Sequence, residues 1–518
     1  MSGDAPALPL RDTSARAGAG RSLPLLRALS LERVRGVQWA AGACLLAIAA
    51  GSLLIVLMAA DRPSVLSPTT HAEFFPRWMA GPLGGAWPGL TRDTTTLRWL
   101  FTGTVIVMFV AYLLALRWRA GLSTRAVIGC VVAVHVIFVL APPLALTDVF
   151  NYINYGRMEV VHHLNPYTTI PILEPHSDPS YAVSNWHQLL SPYGPLFTLI
   201  TFAAVPLGVA ASFWALKLVL AAASLATLAL VWRSARLLGR DPVTAVALVG
   251  LNPIVLVWGL GGDHNDSLML LFIVLGFYLL LRAGCGGVVE PARAARDSAG
   301  PSSLRWLRSA SAAAVLAGAA FVAAAAIKAS AAVLIPVVLA SLLRSRRRLV
   351  QVVAGMALAC VVVGAASLIA FGLHVPDLST QSRLVTNESV PNLLGLAFGA
   401  GGESQALHTV MSAALGVSVV ACCVLAWRRG SAITASGWAS VALLVTLSWV
   451  LPWYVLWVLP LAALSSSRRL RAAAAVLGAW LIVSWAPAST LVWQAIGFHP
   501  EKTSLGRLHQ RYVKELLN

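Results

Sequence analysis

Residues 37–60 read VQWAAGACLLAIAAGSLLIVLMAA, 24 residues without a charge. A helix needs about 20 predominantly apolar residues to cross the hydrocarbon of a bilayer, so this run predicts a membrane span. A cleavable signal has an apolar stretch of only roughly 7–15 residues, so the span is expected to stay in the mature protein. The pattern repeats along the chain. Thirteen apolar runs qualify, at residues 37–60, 99–116, 126–146, 212–231, 243–260, 268–281, 310–327, 331–343, 349–373, 410–427, 433–447, 451–464 and 472–493. Composition agrees: of 518 residues 58% are hydrophobic and only 11% charged, with mean hydropathy +0.76, whereas soluble domains carry about 25% charged residues. No polar block is large enough for a soluble enzyme on a membrane tail. The fold expected is an all-α polytopic bundle of about 13 helices.

Net charge is +18, but it is not a nucleic-acid surface. The basic residues sit in short clusters between spans: a leader at 1–36 holding six arginines, then Arg117/Arg119/Arg125, Arg233/Arg236/Arg240, residues 282–308, Arg344/Arg346/Arg347/Arg348, Arg428/Arg429 and Arg468/Arg469/Arg471. Lys and Arg collect on the cytoplasmic side of membrane proteins. With a disordered leader inside and thirteen crossings, every cluster falls inside, provided that residues 193–210 do not cross. That segment opens Ser191-Pro192-Tyr193-Gly194-Pro195 and contains Pro206, so it reads as an interfacial or re-entrant helix, tolerated where protein covers it. The remaining polar loops then lie outside, the longest being 147–211. Three units follow: the leader 1–36, a membrane catalytic unit 37–494, and a tail 495–518 expected to form an amphipathic surface helix. Residues 286–303 read as a basic linker. The six cysteines show no CxxC spacing and read as packing residues.

The outer loop begins Thr147-Asp148-Val149-Phe150-Asn151-Tyr152-Ile153-Asn154-Tyr155. An ionisable group at the membrane boundary is costly and often functional, although Asp148 also reads as a plain helix-end aspartate. Asn151, Tyr152 and Tyr155 follow at helical spacing, residue types that stack on and hydrogen-bond hydroxyl-rich ligands. A second polar block is Asn252-Pro253, then Gly261-Gly262-Asp263-His264-Asn265-Asp266. Its last four residues fit a site for phosphate or sugar hydroxyls, hard ligands for a divalent cation, or a turn with Asp266 as N-cap. Lys217 and Lys328 are lone cations among apolar spans, placed for a phosphate or for snorkelling to headgroups. Pro452-Trp453-Tyr454-Val455-Leu456-Trp457 reads as an interfacial aromatic belt or as an aromatic platform.

Taken together, Asp148 at a span end, Pro192-Tyr193-Gly194-Pro195, and the Asn-Pro to Gly-Gly-Asp-His-Asn-Asp block resemble the GT-C glycosyltransferases, and within them the actinobacterial polyprenol-phosphomannose-dependent α-1,6-mannosyltransferases. The likeness covers residues 147–281 in motifs and the rest only as a pattern of spans. It departs from the wider superfamily in lacking an obvious second aspartate beside Asp148; Asp263 or Asp266 is the substitute. The resemblance implies a GT-C-like bundle with amphipathic helices in the outer loop, a polyprenyl-phosphate-sugar donor, a glycolipid or glycan acceptor, and inversion at the anomeric carbon. On that reading Asp148 is the catalytic base, and Lys217, Lys328 and His264 meet the donor phosphate. Asn151, Tyr152, Tyr155, Tyr193, Asp263, Asn265 and Asp266 bind substrate. No cofactor is expected, with a divalent cation left open. Membrane lipid is the surrounding partner and nucleic acid is none. Another lipid-linked sugar, such as arabinose, and a transporter are the rival readings.

Overall fold

A computed structural model describes residues 22–61, 76–90, 93–144, 148–285 and 309–517. Among them every regular element is helical. The first part of the chain forms α1 (Ser22–Asp61), a short 3-10 turn Arg77–Ala80, α2 (Thr94–Arg117) and α3 (Thr124–Val139). Then come α4 (Asp148–His162), α5 (Pro195–Phe202), α6 (Gly208–Leu237), α7 (Pro242–Gly250) and α8 (Asp266–Arg282). The second part holds α9 (Ala310–Ile327), α10 (Leu334–Leu342), α11 (Arg346–Phe371) and α12 (Val390–Ala397). It ends with α13 (Gln405–Arg429), α14 (Ala432–Thr446), α15 (Leu459–Leu464), α16 (Arg468–Trp485), α17 (Ser489–Ala495) and α18 (Ser504–Leu517).

Six helical segments are long and apolar enough to cross a membrane, or seven if the bent pair Arg468–Trp485 and Ser489–Ala495 is one span. Against the thirteen spans expected, these six or seven are the ones among the described residues that qualify by length and composition. The other apolar runs fold as shorter helices, among them Thr124–Val139, Ala329–Leu342, Ala432–Thr446 and Pro452–Leu464. Hydropathy sees only that a segment avoids water; it does not separate a lipid-spanning helix from a short one shielded by its neighbours. The protein is a multi-pass membrane protein. Ile369, Val417 and Val361 are 87%, 70% and 68% exposed on α11 and α13, an arrangement suited to lipid and not to water.

Three further expectations change. The helix α1 begins at Ser22, so the part of the leader from Ser22 to Gly36 is helical and not disordered; Leu and Arg dominate it and are good helix formers. Residues 1–21, and the linker 286–303, lie outside the described residues. Second, α4 is no amphipathic surface helix: Val149 to Gly156 are all buried, so its first two turns are sunk into the bundle. Third, α18 does not lay its apolar side on lipid. Leu516 packs with Leu189 and Leu384, and the Gln188 backbone N–H donates to the Leu516 carbonyl at 3.1 Å. At eight residues, about 12 Å long, α5 is too short to be a span of its own; together with α6 it forms one long apolar candidate segment, Pro195–Leu237.

Helices approach closely where small residues meet. With no hydrophobic drive between helices in lipid, backbone contact and dispersion hold them. α9 has 11 alanines among its 18 residues and packs against α8 and α11. A Cβ on Gly318 would sit 2.0 Å from the Val352 carbonyl oxygen, and one on Gly355 only 1.8 Å from that of Val315. Gly194 is equally constrained. Its N–H donates to the Ile327 carbonyl at 3.0 Å, and a Cβ there would lie 2.1 Å from the Ala326 oxygen. The Pro-Tyr-Gly-Pro turn is thus locked to the end of α9, next to Lys328. Gly355→Ala should lower stability by about 1–3 kcal/mol through overpacking. Gly364→Ala on the same helix meets open space and should gain up to about 1 kcal/mol from helix propensity. Thermal unfolding of the two variants in detergent checks the contrast.

Candidate active site

The turn between α7 and α8 places the polar block. Asn252 bends the chain by accepting the Ile254 N–H on its side-chain oxygen at 3.0 Å. A π-helical segment, Val255–Leu260, follows, a geometry frequent at functional sites. Gly262 then passes so close to His264 that a Cβ would lie 2.6 Å from its Nε2. Asp263 is left-handed at φ 56, which Asp tolerates better than most residues. The turn therefore aims four consecutive side chains in different directions, all buried to 1% exposure or less.

Three of the four side chains meet partners from other parts of the chain. Asp263 takes the Lys217 ammonium on both oxygens, at 3.0 and 2.8 Å, with both side chains 1% exposed; Lys217 comes from α6. His264 lies flat on Trp453, ring centroids 3.4 Å apart, with its Nδ1 3.3 Å from Asp148 Oδ2. That approach is electrostatic and not an aligned hydrogen bond, for neither ring nitrogen has a hydrogen-bond partner. Asp266 accepts from Lys328 at 2.7 Å on one oxygen and from Trp457 Nε1 at 2.5 Å on the other. The Lys328 ammonium stands 4.9 Å above Tyr454 and 5.6 Å above Trp457, within cation–π range. The Asn265 backbone N–H donates to Tyr152 Oη at 3.3 Å, while its side-chain amide, fully buried, has no partner at either atom.

Asp148, Lys217, His264 and Lys328 thus meet around one turn. Tyr152 and Tyr193 wall it, their rings edge-to-face at 4.7 Å. Two expected binding residues are not in it. Asn151 accepts the Asn185 backbone N–H at 3.0 Å, and the Tyr155 hydroxyl donates to the Leu189 carbonyl at 2.7 Å; both fasten the outer loop to α4. Asp266 is in the first turn of α8 with Asn265 at the N-cap position, so it is no N-cap. Asp263 and Asp266 diverge to separate lysines, and among the described residues no group of three or more His, Cys, Asp or Glu side chains could hold a metal.

A sequence profile described as alpha-(1->6)-mannopyranosyltransferase, N-terminal domain, matches residues 34–344, which include Asp148, Lys217, residues 263–266 and Lys328 but not Trp453, Tyr454 and Trp457. The chain belongs to this family. A second profile, described as MptB C-terminal domain, matches residues 388–497. Alpha-(1->6)-mannopyranosyltransferase A of Mycobacterium tuberculosis is 29% identical over 425 residues, 75% of each chain. Alpha-(1->6)-mannopyranosyltransferase B of Corynebacterium glutamicum is 26% identical over 357 residues, 62% of this chain and 56% of its own. No solved structure matches. The chain is a membrane-embedded glycosyltransferase of the alpha-(1->6)-mannopyranosyltransferase family.

In this family member the lysines are not free cations. Lys217 is fully engaged by Asp263; Lys328, 20% exposed, is the more accessible of the two. Trp453, Tyr454 and Trp457 are buried against the site, 1%, 9% and 5% exposed, so they form no interfacial belt. Their closeness to His264 and Asp266 is a tertiary fact with no local signal. Sequence reasoning also missed the scaffold beneath the outer loop. Arg157 and His162 both bind Asp178, at 2.8 Å each, and Asn154 donates to Glu174. The Arg157 guanidinium and the Ser180 groups hold the Asp178 carboxyl below the usual range, against the opposing effect of burial. Burial pushes Glu174 up to about 7.

Two outcomes follow. Asp263→Asn leaves the Lys217 charge buried without a counter-ion and should destabilise by about 3–5 kcal/mol. Replacing the pair together, Lys217→Met with Asp263→Leu, should recover much of that, as read by thermal unfolding in detergent. For Glu174 the fold favours the protonated form, so its stabilisation is complete below the unfolded pKa and declines as pH rises toward about 7. Glu174→Gln should flatten the change in unfolding temperature between about pH 4.5 and 7.

Proposed function

We propose that the protein transfers a mannosyl residue from polyprenyl-phosphate-mannose to a hydroxyl of a glycolipid or glycan on the extracytoplasmic face, with Asp148 as general base. The carrying observation is the fate of the three carboxylates. Asp263 and Asp266 are each paired with a lysine, whereas Asp148, 15% exposed in the first turn of α4, is paired with no Lys or Arg among the described residues and has the imidazole of His264 beside it. Asp148 is therefore the carboxylate available to a proton. Asp148 takes the acceptor hydroxyl proton as the oxygen attacks the anomeric carbon. The bond to phosphate breaks on the opposite side, and polyprenyl phosphate departs with the bonding electrons.

The departing phosphate gains charge, and a positioned cation stabilises it. Lys328 fills that role, its ammonium held between Asp266 and two aromatic faces. Lys217 and Asp263 form the rigid floor under the turn. His264 and the unpartnered Asn265 amide supply hydrogen bonds to phosphate or sugar oxygens, since buried polar atoms without partners are costly unless a ligand satisfies them. No soluble cofactor enters this reading. Sugar donors activated on nucleotides are water-soluble and cytoplasmic; the clustering of Lys and Arg in loops other than those of the site supports an outward site, and an outward site favours a donor already in the membrane.

Asp148→Asn should lower kcat about 10²–10⁴-fold in a reconstituted assay with polyprenyl-phosphate-mannose, with thermal stability preserved. Full turnover by that variant would overturn the base assignment. Chelation of divalent cations should leave the rate unchanged. A panel of polyprenyl-phosphate sugars including arabinose tests the sugar, and cysteine labelling at residue 176 in intact cells tests the face.

A further inference from the structure

We propose that Arg119, Arg240, Arg468 and Arg471 form a binding site for a phosphate group at the end of the bundle opposite the catalytic turn. The site stands apart from the transfer reading above and needs none of its residues. Its arginines come from three of the basic clusters in the sequence, and the chemistry described so far uses none of them. α6 fixes where they are. Near its start, Lys217 belongs to the catalytic cluster, and the helix runs unbroken to Leu237. The twenty residues from Lys217 to that end rise about 30 Å, the thickness of the hydrocarbon core. Arg240 follows just after that end, so it lies near the other membrane surface.

Packing gathers the arginines. Arg240 sits between α6 and α7, its backbone N–H donating to the Ala235 carbonyl at 2.8 Å. α15 packs on α6, α7 and α16. Arg471, in the first turn of α16, donates from Nη1 to the Ser465 carbonyl at 2.8 Å, which ties it to the end of α15. α2 packs against α7 and α16, and Arg119 follows α2 in the 3-10 turn Arg119–Gly121. The charge of Arg471 therefore acts on Arg240, and those of Arg119 and Arg468 act on Arg471.

These charges have no counter-ion in the fold. Among the described residues none of the four takes part in a salt bridge. The neighbouring carboxylate in sequence, Asp241, accepts the Val243 and Thr244 backbone N–H groups at 3.1 and 3.0 Å, so it caps α7. Arg240 is half-buried, and its Nη1 is fully buried without a hydrogen-bond partner. Burial, followed by the charge of Arg471, holds the Arg240 guanidinium below its usual range. Basic residues that merely mark one face of a membrane stay hydrated. A guanidinium nitrogen cut off from water and from every acceptor costs free energy until an acceptor meets it.

The chemistry selects the ligand. A guanidinium pairs with phosphate through two parallel N–H···O bonds, and converging like charges call for an anion with several oxygens. Basic residues at the ends of membrane helices attract anionic lipid headgroups. A lipid headgroup and a soluble phosphate offer the same oxygens, and the experiment separates them.

The test uses the full-length protein, delipidated in a neutral detergent, with thermal unfolding read at fixed ionic strength. Dioctanoyl phosphatidylglycerol should raise the unfolding temperature and dioctanoyl phosphatidylcholine should not. A rise with sodium pyrophosphate alone would keep the site and assign it a soluble ligand. Arg240→Gln and Arg471→Gln should each weaken binding of the effective anion about fivefold, the share of one basic residue at an anionic surface. Without anion, Arg240→Gln should unfold no earlier than the parent, because it removes a repelled charge and no ion pair; an arginine with a merely structural role would not behave so. Arg347→Gln, in the separate basic cluster at the start of α11, should keep the full response. The site is overturned by no response to either anion, by an undiminished response in both Arg240→Gln and Arg471→Gln, by an equal loss in Arg347→Gln, or by earlier unfolding of Arg240→Gln without anion. Every readout is binding or stability, so the outcome is independent of mannosyl transfer.

Discussion

The arrangement depends on charge held where water is absent. Lys217 and Asp263 are both buried, and moving either ion alone into such surroundings costs several kcal/mol even after relaxation. Their two-oxygen contact offsets that cost only if α6 and the turn before α8 stay in register to a fraction of an ångström. The pair therefore acts as a positional lock. Once Asp263 is bound to α6, the left-handed turn swings His264 toward Asp148 and Trp453 and carries Asp266 to Lys328 and Trp457. The order of four consecutive residues is converted into contacts with four separate parts of the chain.

The helices around this lock are held by the other force available in lipid, close packing of small residues. The end of α9 illustrates the coupling. Gly194 touches its last carbonyls, and Lys328 caps it, so the outer-loop turn and one of the two site lysines share a single backbone support. The loop that carries the α4 carboxylate is itself braced from below by Asp178 and Glu174, and from the side by α18 through Leu516. Ion pairs bring the charged residues together, and packing of glycine, alanine and aromatic rings decides how far each can move.

Much of this was legible along the chain. The apolar runs declared a membrane protein, because a stretch such as 37–60 has no other stable solvent. Asp148, Lys217, His264 and Lys328 stood out because isolated ionisable groups beside apolar spans need partners, and all four do meet. What was not legible has a common origin. Hydropathy does not fix the number of spans, because it reports avoidance of water and not length across lipid. Asn151 and Tyr155 are of types that bind sugars, and in the buried first two turns of α4 the Asn151 oxygen and the Tyr155 hydroxyl meet backbone groups of the outer loop. The lysines looked free because their aspartates lie 46 and 62 residues away in the chain. The Trp453 to Trp457 segment looked like a belt because aromatic composition is the same at an interface and in a core.

The sequence by itself determined the solvent, the helical class, and which few residues bear charge inside an apolar chain, since these follow from local composition and from the cost of burying ions. Only the tertiary structure decided which carboxylate remained without a lysine. That choice is made by distances between helices remote in sequence, and no local pattern encodes whether Lys217 reaches Asp263 or Asp148. The same holds for the stacking of His264 on Trp453: both residues are buried by contact with each other, and burial is a property of the assembled bundle.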